Sequence, residues 1–341
     1  MKVYIIPTKN IMTTAYYYTL LEKIFKAAGF DVLLCDDLKK YHPSKKNDII
    51  ITGNAYPTVK LWIKGYKNIC TWYQGVAPEE RKMQGSFFLK VWLHSIMEQL
   101  SLKKSIFSFF VSNALVKHYA HKYKINIEES HYAVIPCFND NKPNLDCFQP
   151  GVKKAFSFVY SGGMGVWQCF DKTLEVFKLL KKNIPESTLT IYTYQVDDAQ
   201  EIVKKNGIKD VTVSYVPKEE MNKALSSMMF GFVLREDNPV NRVATPTKLS
   251  NYIANGVIPI CSTVVEDFTS VTSDNKYVIH VNNLTPNLIA EEIYDKVKTV
   301  DSNYSAELHL KECMNLFELY YSEEYYVRTV SKKIRDISKT L

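Results

Sequence analysis

Apolar and polar positions along the first 140 or so residues repeat one unit, a short continuous apolar run followed by a stretch with helical spacing. Val3 to Ile6 reads as a buried strand, Tyr16 to Ala28 as a helix closed by Gly29, and Asp31 to Cys35 as a second strand. Asp48 to Thr52, Ile69 to Tyr73, Ile106 to Ser112 and Tyr132 to Pro136 are further short runs rich in β-branched or aromatic residues. Between them the spacing predicts helices from about Ser86 to Leu102 and from Ala114 to Tyr123. Apolar runs without alternation belong to strands covered on both faces, so the pattern predicts a parallel sheet with helices on either side.

The pattern breaks from Asn139 to Val152, where Asn-Asp-Asn-Lys-Pro-Asn and Gln-Pro-Gly are turn and linker chemistry. It then restarts. Strands are predicted at Phe156 to Ser161, Leu189 to Thr193, Val211 to Val216, Phe230 to Leu234 and Val257 to Cys261. Helices are predicted at Lys172 to Lys182, Ala199 to Asn206, Met221 to Ser227 and Lys248 to Asn255, the last capped by Gly256. A final amphipathic, helical stretch runs from about Glu307 to Lys339. The predicted fold class is α/β, with two successive Rossmann-like domains, 1–149 and 150–315, and a C-terminal helical segment, 316–341.

The 341-residue length agrees with two domains, each able to bury its own core. The seven cysteines form no C-x-x-C pair, which points to reduced thiols in a cytosolic protein and away from structural zinc. The apolar run at Met1 to Pro7 is too short for a signal peptide, and no stretch reaches the ~18 apolar residues of a membrane span. Charge is uneven. Residues 81–124 hold Arg81, Lys82, Lys90, Lys103, Lys104, Lys117, Lys122 and Lys124 against Glu98 alone, a surplus equal to the whole net charge of +7. Phe87, Phe88, Trp92, Leu93 and Ile96 are interleaved with them. Such a segment suits an anionic membrane surface, or a solvated helix face with its apolar side packed; nucleic acid is the weaker fit. His118 and His121 read as surface or packing residues, with no carboxylate beside them in sequence.

In open α/β sheets ligands bind past the carboxyl ends of strands, so the loops there are the candidates. After Phe156 to Ser161 come Gly162, Gly163 and Gly165, which let backbone approach a ligand before a helix N-terminus that favours anions. Gln168 occupies the third glycine slot of a dinucleotide fingerprint, and no acid follows at about 20 residues, so that fingerprint is absent. After Phe230 to Leu234 come Arg235, Glu236 and then Pro246-Thr247-Lys248 opening a helix. A lysine in a first helical turn opposes the dipole and is better explained by an anion shared with that turn, and Arg235 suits forked bonds to phosphate. A plain glycine-rich turn and a solvated charged loop are the alternatives.

These stretches resemble the donor half of the family 4 GT-B glycosyltransferases, the retaining, metal-independent class, and in particular enzymes of bacterial surface polysaccharide (O-antigen or capsule) synthesis. The likeness lies in Tyr160-Ser161-Gly162-Gly163, in Arg235 with Pro246-Thr247-Lys248, and in Tyr252 to Ile260. Trp72-Tyr73-Gln74-Gly75-Val76-Ala77-Pro78-Glu79-Glu80 is similar to a Q-G-x-x-P-E-E stretch of some members, and Val111-Ser112-Asn113 and Ile135-Pro136 fall where the family has further short elements.

The resemblance implies two Rossmann-like domains facing across a cleft, the C-terminal helix packing back on the first. It implies transfer of a sugar from a nucleoside-diphosphate sugar to a glycan acceptor, lipid-linked, at the inner face of the cell membrane, with no metal or other cofactor and no nucleic acid. Arg235, Lys248 and Glu236 are then catalytic. Gly162, Gly163, Tyr215, Val216, Thr247 and Asn251 bind donor, and Gln74 and Glu80 face the acceptor. Trp167 is a candidate for stacking on a sugar. The chain departs from the family at Asn251, where a ribose-binding Glu is usual, and at Gln74, where a His is common. A nucleotide-sugar 2-epimerase and a non-catalytic binding protein of the same fold are the rival readings.

Overall fold

The computed structural model describes residues 1–7, 15–282 and 285–339. The chain divides into two compact units. The first comprises Met1–Asn139, Arg242–Thr245 and Ser322–Leu341, and the second Asp140–Asn241 and Pro246–Tyr321. The division falls inside the expected linker but ahead of the 149/150 position. Asp140 is bonded to Asn251, the Asn144 amide donates to the Ala254 carbonyl at 2.7 Å, and the turn Leu145–Phe148 packs on a helix of the second unit.

The first unit runs β1 (Lys2–Ile6), α1 (Ala15–Ala27), β2 (Asp31–Leu34), β3 (Ile49–Thr52), α2 (Ala55–Ile63), β4 (Asn68–Tyr73), α3 (Ala77–Met83), α4 (Phe88–Lys104), β5 (Phe107–Phe110), α5 (Asn113–Tyr123) and β6 (Tyr132–Val134). Its sheet is parallel, in the order β2-β1-β3-β4-β5-β6. Every residue of β3, β4 and β5 is buried, as expected of strands covered on both faces. Helix α2 is absent from the sequence reading; it starts where the Asn54 side chain accepts from the Tyr56 amide at 3.1 Å.

The second unit runs β7 (Ser157–Ser161), α6 (Phe170–Asn183), β8 (Thr188–Tyr192), α7 (Val196–Asn206), β9 (Val211–Ser214), α8 (Met221–Leu225), β10 (Phe230–Val233), α9 (Pro239–Arg242, its last residue in the first unit), α10 (Thr247–Ala254), β11 (Ile258–Ser262), α11 (Glu266–Val271), β12 (Ile279–Val281), α12 (Pro286–Ser302) and α13 (Ala306–Leu319). Its sheet is again parallel, in the order β12-β11-β10-β7-β8-β9. Read from the other edge this is the 3-2-1-4-5-6 order of the dinucleotide-binding fold, with the reversal between β7 and β10. The expected last helical stretch is two helices. After α13, Ser322 caps α14 (Glu323–Ser338), which belongs to the first unit and packs on α1. There Glu323 accepts from Tyr16 and, at 2.6 Å, from Lys23. Among the described residues no helix is long and apolar enough to cross a membrane.

Candidate functional site

The strand-order reversal of the second unit places the loop after β7 beside the loop after β10, and these carry the strongest sequence candidates. Arg235 follows β10. Its backbone amide donates to Ser262 Oγ at 2.9 Å, and its side chain is only 4% exposed. The guanidinium donates to the Trp167 carbonyl at 3.0 Å and to Gln168 Oε1 at 2.7 Å, while its buried Nε has no hydrogen-bond partner among the described residues. Lys248, second residue of α10, is buried too. Its ammonium lies 4.4 Å from the Tyr160 ring centroid and donates to the same Gln168 oxygen at 3.1 Å. Both cations therefore point at one neutral amide oxygen, which puts their nitrogens no more than about 6 Å apart.

Burial in so tight a site disfavours the charged forms. Desolvation holds Arg235 below its ordinary range. Desolvation and then the Arg235 charge push Lys248 well below the ordinary lysine value. The other groups acting on the pair are hydroxyls and thiols, those of Tyr160, Tyr252, Cys169 and Cys261, and no carboxylate faces either cation among the described residues. Two desolvated like charges without a counter-ion are costly in a folded protein and mark a site for an anion.

Gly162 closes this site from β7. Its φ of +130° is a conformation that a side chain disfavours, and a Cβ there would stand 3.0 Å from the Lys248 ammonium. Gly163 lies beneath the exposed Tyr194, and its carbonyl accepts from Tyr160 at 2.6 Å. The glycines do not lead straight into a helix. A 3-10 turn, Val166–Gln168, and a left-handed Cys169 intervene before α6. That turn brings the Trp167 carbonyl and the Gln168 amide to Arg235, a role the sequence did not signal. Trp167 is half-buried against Gly165. Thr247 opens α10 and is half-buried, while Tyr215 and Val216 follow β9, the tyrosine 56% exposed. The Glu236 carboxylate is exposed, 3.9 Å from Lys172, and borders an open groove with Thr285 and Leu288 rather than joining the cations. Asn251 donates to Asp140 Oδ2 at 2.7 Å.

Gln74 and Glu80 come together in the first unit. They line a cavity of about 650 Å3 with Asn54, Arg81, His94 and Glu98, beyond the carboxyl ends of β3 and β4. Gln74 is fixed by donating to the Gly53 carbonyl at 2.9 Å. The Glu80 carboxylate lies over Gly75, where an added Cβ would meet its Oε1 at 2.5 Å. Burial, and then the Glu98 charge, push the Glu80 carboxyl up.

Glu98 organises the cavity floor. It is 2% exposed and accepts from Tyr119 at 2.9 Å, Tyr123 at 2.6 Å and Lys122 at 3.2 Å. Lys122 also pairs with Glu79 at 2.8 Å, and His118 approaches the same carboxylate at 3.3 Å. His118 thus has a carboxylate partner, supplied by tertiary packing. The available signal for Glu98 was its being the lone acid in a basic segment. At the start of α4 several apolar residues face out: Phe87, just before the helix, and Phe88, Trp92 and Leu93 on it are 66, 66, 61 and 47% exposed. No group of three or more His, Cys, Asp or Glu arranged to hold a metal ion occurs among the described residues.

No family model matches this chain, and no curated protein matches it. Solved structures do. The chain aligns with the sucrose-phosphate synthase of Thermosynechococcus elongatus at a TM-score of 0.72 and 14% identity, covering 100% of both chains. It aligns with a glycosyltransferase of Rickettsia africae at 0.65 and 13%, covering 100% of this chain and 99% of that one. With S. aureus TarM, solved with UDP and α-GlcNAc-glycerol, the values are 0.64 and 14% over 86% of this chain. The chain spans only 56% of TarM's length. At these identities the shared property is the fold, that of the GT-B glycosyltransferases, α/β with two six-stranded parallel sheets.

Proposed function

We propose that this chain is a retaining glycosyltransferase of family 4 type that moves a sugar from a nucleoside-diphosphate sugar to a glycan acceptor. One observation carries the reading: Arg235 and Lys248 are buried together around Gln168 and Gly162, at the topological switch point of the second sheet, with no carboxylate among the described residues to neutralise them. A diphosphate supplies two adjacent negative charges of matching spacing. In the transfer step the bond from the anomeric carbon to the diphosphate oxygen breaks, and charge grows on that oxygen. Two preformed cations stabilise it without reorganising, which is electrostatic catalysis rather than acid–base work by a carboxylate pair. The leaving oxygen takes the acceptor hydroxyl's proton as the new glycosidic bond forms on the same face. Gly162 and Gly163 give backbone access, and Thr247 adds a donor at the start of α10. Tyr215 and Val216 border the base, while Glu236, exposed on the groove with Thr285 and Leu288, is left out of the catalytic set.

The first unit's cavity, with Gln74 and Glu80, receives the acceptor. Its presence favours a transferase over a 2-epimerase, which uses no glycan. The outward apolar face of α4, with Lys82 and Lys90 alongside, supports a lipid-linked acceptor at an anionic membrane surface, the setting of surface polysaccharide synthesis. The test is release of nucleoside diphosphate from UDP- and GDP-sugars, with and without lipid-linked glycan. Release that depends on glycan, and that falls by orders of magnitude in a folded Lys248→Ala protein, supports the proposal. Interconversion of the donor without glycan, or unchanged release in the mutant, overturns it.

A further inference from the structure

Asp140, the first residue of the second unit, is half-buried and tied to two helices. Its Oδ2 accepts from Asn251 of α10 at 2.7 Å, and its Oδ1 from Asn222 of α8 at 3.4 Å. Asn255 completes the frame. Its side-chain amide donates to Asn222 Oδ1 and to the Asn251 carbonyl, both at 2.9 Å. Lys153 in turn donates to the Asn255 carbonyl. A carboxylate is thus held by neutral amides in a fixed place, and it makes no ion pair among the described residues. Burial pushes its carboxyl up, against the bonds from Asn222 and Asn251 and the charge of Lys218, the one cation that acts on it among the described residues.

The two helices locate this carboxylate. Asn251 is three residues beyond Lys248 on α10, so the two side chains are neighbours on one face, with Cβ atoms about 5–6 Å apart. Asn222 is the second residue of α8, which follows Tyr215, Val216, Pro217 and a 3-10 turn, Lys218–Glu220, after β9. The carboxylate is thus tied both to the helix that offers a cation to phosphate and to the helix entered from the segment proposed to border the base, an interval between phosphate and base. In a nucleoside diphosphate the ribose occupies that interval and offers two vicinal hydroxyl donors. An ionised carboxylate has about four acceptor positions, of which the two amides use two. Carboxylates read ribose hydroxyls in this way in other nucleotide-binding folds of this topology.

We propose that Asp140 binds the ribose hydroxyls of the donor nucleotide, with Asn251 and Asn222 as its positioning residues; this rests on the donor-site reading above. The experiment is a calorimetric titration of the whole chain with UDP and 2′,3′-dideoxy-UDP, and with the corresponding GDP pair. The expected wild-type preference for the ribose form is tenfold or more. In Asp140→Asn the preference falls to within about threefold, because the ribose form weakens while the dideoxy form does not. Asn251→Ala, which leaves the carboxylate unplaced, lowers the preference in the same direction. The swapped pair, Asp140→Asn with Asn251→Asp, restores it.

A merely structural role would weaken both forms equally and leave the preference at its wild-type value in all three variants, which overturns the inference while Lys248-dependent binding still stands. If Asp140→Asn does not fold, Asn251→Ala decides by the same ratio. If neither diphosphate binds, or if Lys248→Met leaves their affinity unchanged, the donor-site reading falls and takes this inference with it.

Discussion

Replacing Lys248 by Met keeps most of the side-chain volume and removes one of two buried like charges. The Gln168 oxygen lies 2.7 Å from one cation and 3.1 Å from the other, so the charges stand no more than about 6 Å apart. At an effective dielectric constant of about 20, that repulsion is roughly 3 kcal/mol. The lysine can relieve part of it by shedding its proton, so the expected gain in stability of the unliganded variant is about 1–3 kcal/mol. For a unit of this size that raises the melting midpoint by about 2 °C or more.

The same change removes an attraction. A diphosphate oxygen at the ~3 Å now taken by Gln168 gains about 5 kcal/mol from the ammonium at that dielectric, and even a third of this is more than tenfold in affinity. Thermal unfolding with and without UDP or GDP reads both effects. Wild type at about 100 times the dissociation constant gains ~2.7 kcal/mol from ligand, and the variant loses most of that gain while melting higher alone. Because the Lys248 pKa in the folded state lies below its ordinary value, the unfolded chain binds more protons in the interval between the two. Wild-type stability from this group therefore rises with pH from the depressed value up to ~10.4, and the advantage of the variant shrinks over the same interval. A variant that melts lower at neutral pH, or that keeps the full ligand response, refutes the reasoning.

Three further outcomes are expected. Gly162→Ala, strained at φ +130° and crowding the Lys248 ammonium, weakens UDP or GDP at least tenfold by calorimetry and lowers the melting midpoint. Glu80→Gln cuts transfer to glycan at least tenfold but leaves donor hydrolysis by water within about threefold. In wild type the acceptor KM falls as pH rises through the raised titration of Glu80, and in the variant it is flat across that range. Changing Phe87, Phe88 and Trp92 together to Asp removes exposed apolar area worth about 1.5–3 kcal/mol per side chain when buried, so co-sedimentation with phosphatidylserine vesicles falls at least tenfold while the fold, by circular dichroism, stays intact.

The parallel sheets were legible because strands such as Ile49-Ile50-Ile51 and Phe230 to Val233 are buried on both faces and leave unbroken apolar runs. Arg235 and Lys248 were legible because each sits where local physics disfavours it, one at the end of an apolar strand and the other in a first helical turn. Helix α2 was missed because its start depends on a single Asn54 cap between two strong strands. Gln168 was read as a failed glycine slot, although its oxygen accepts from both cations; nothing in the local sequence announces a contact with residues nearly 70 and 80 positions away. The Glu98 hub was hidden for the same reason, since Tyr119, Tyr123 and Lys122 reach it from another helix. Asp140 lay within what reads as linker, and only folding ties it to Asn251.

The most direct test of the central claim, that the buried cation pair holds a diphosphate, is a count of protons taken up on binding. Titrating the wild-type chain with UDP or GDP at about pH 9, below the ordinary lysine value of ~10.4 and above the range in which the nucleotide phosphates titrate, in buffers of different ionisation enthalpy, gives that count from the slope of the observed heat. An anion beside Lys248 restores the proton that burial and Arg235 disfavour, so the account predicts net proton uptake, abolished in Lys248→Met. Binding with the same proton balance in both proteins, or no binding of either diphosphate, would contradict it.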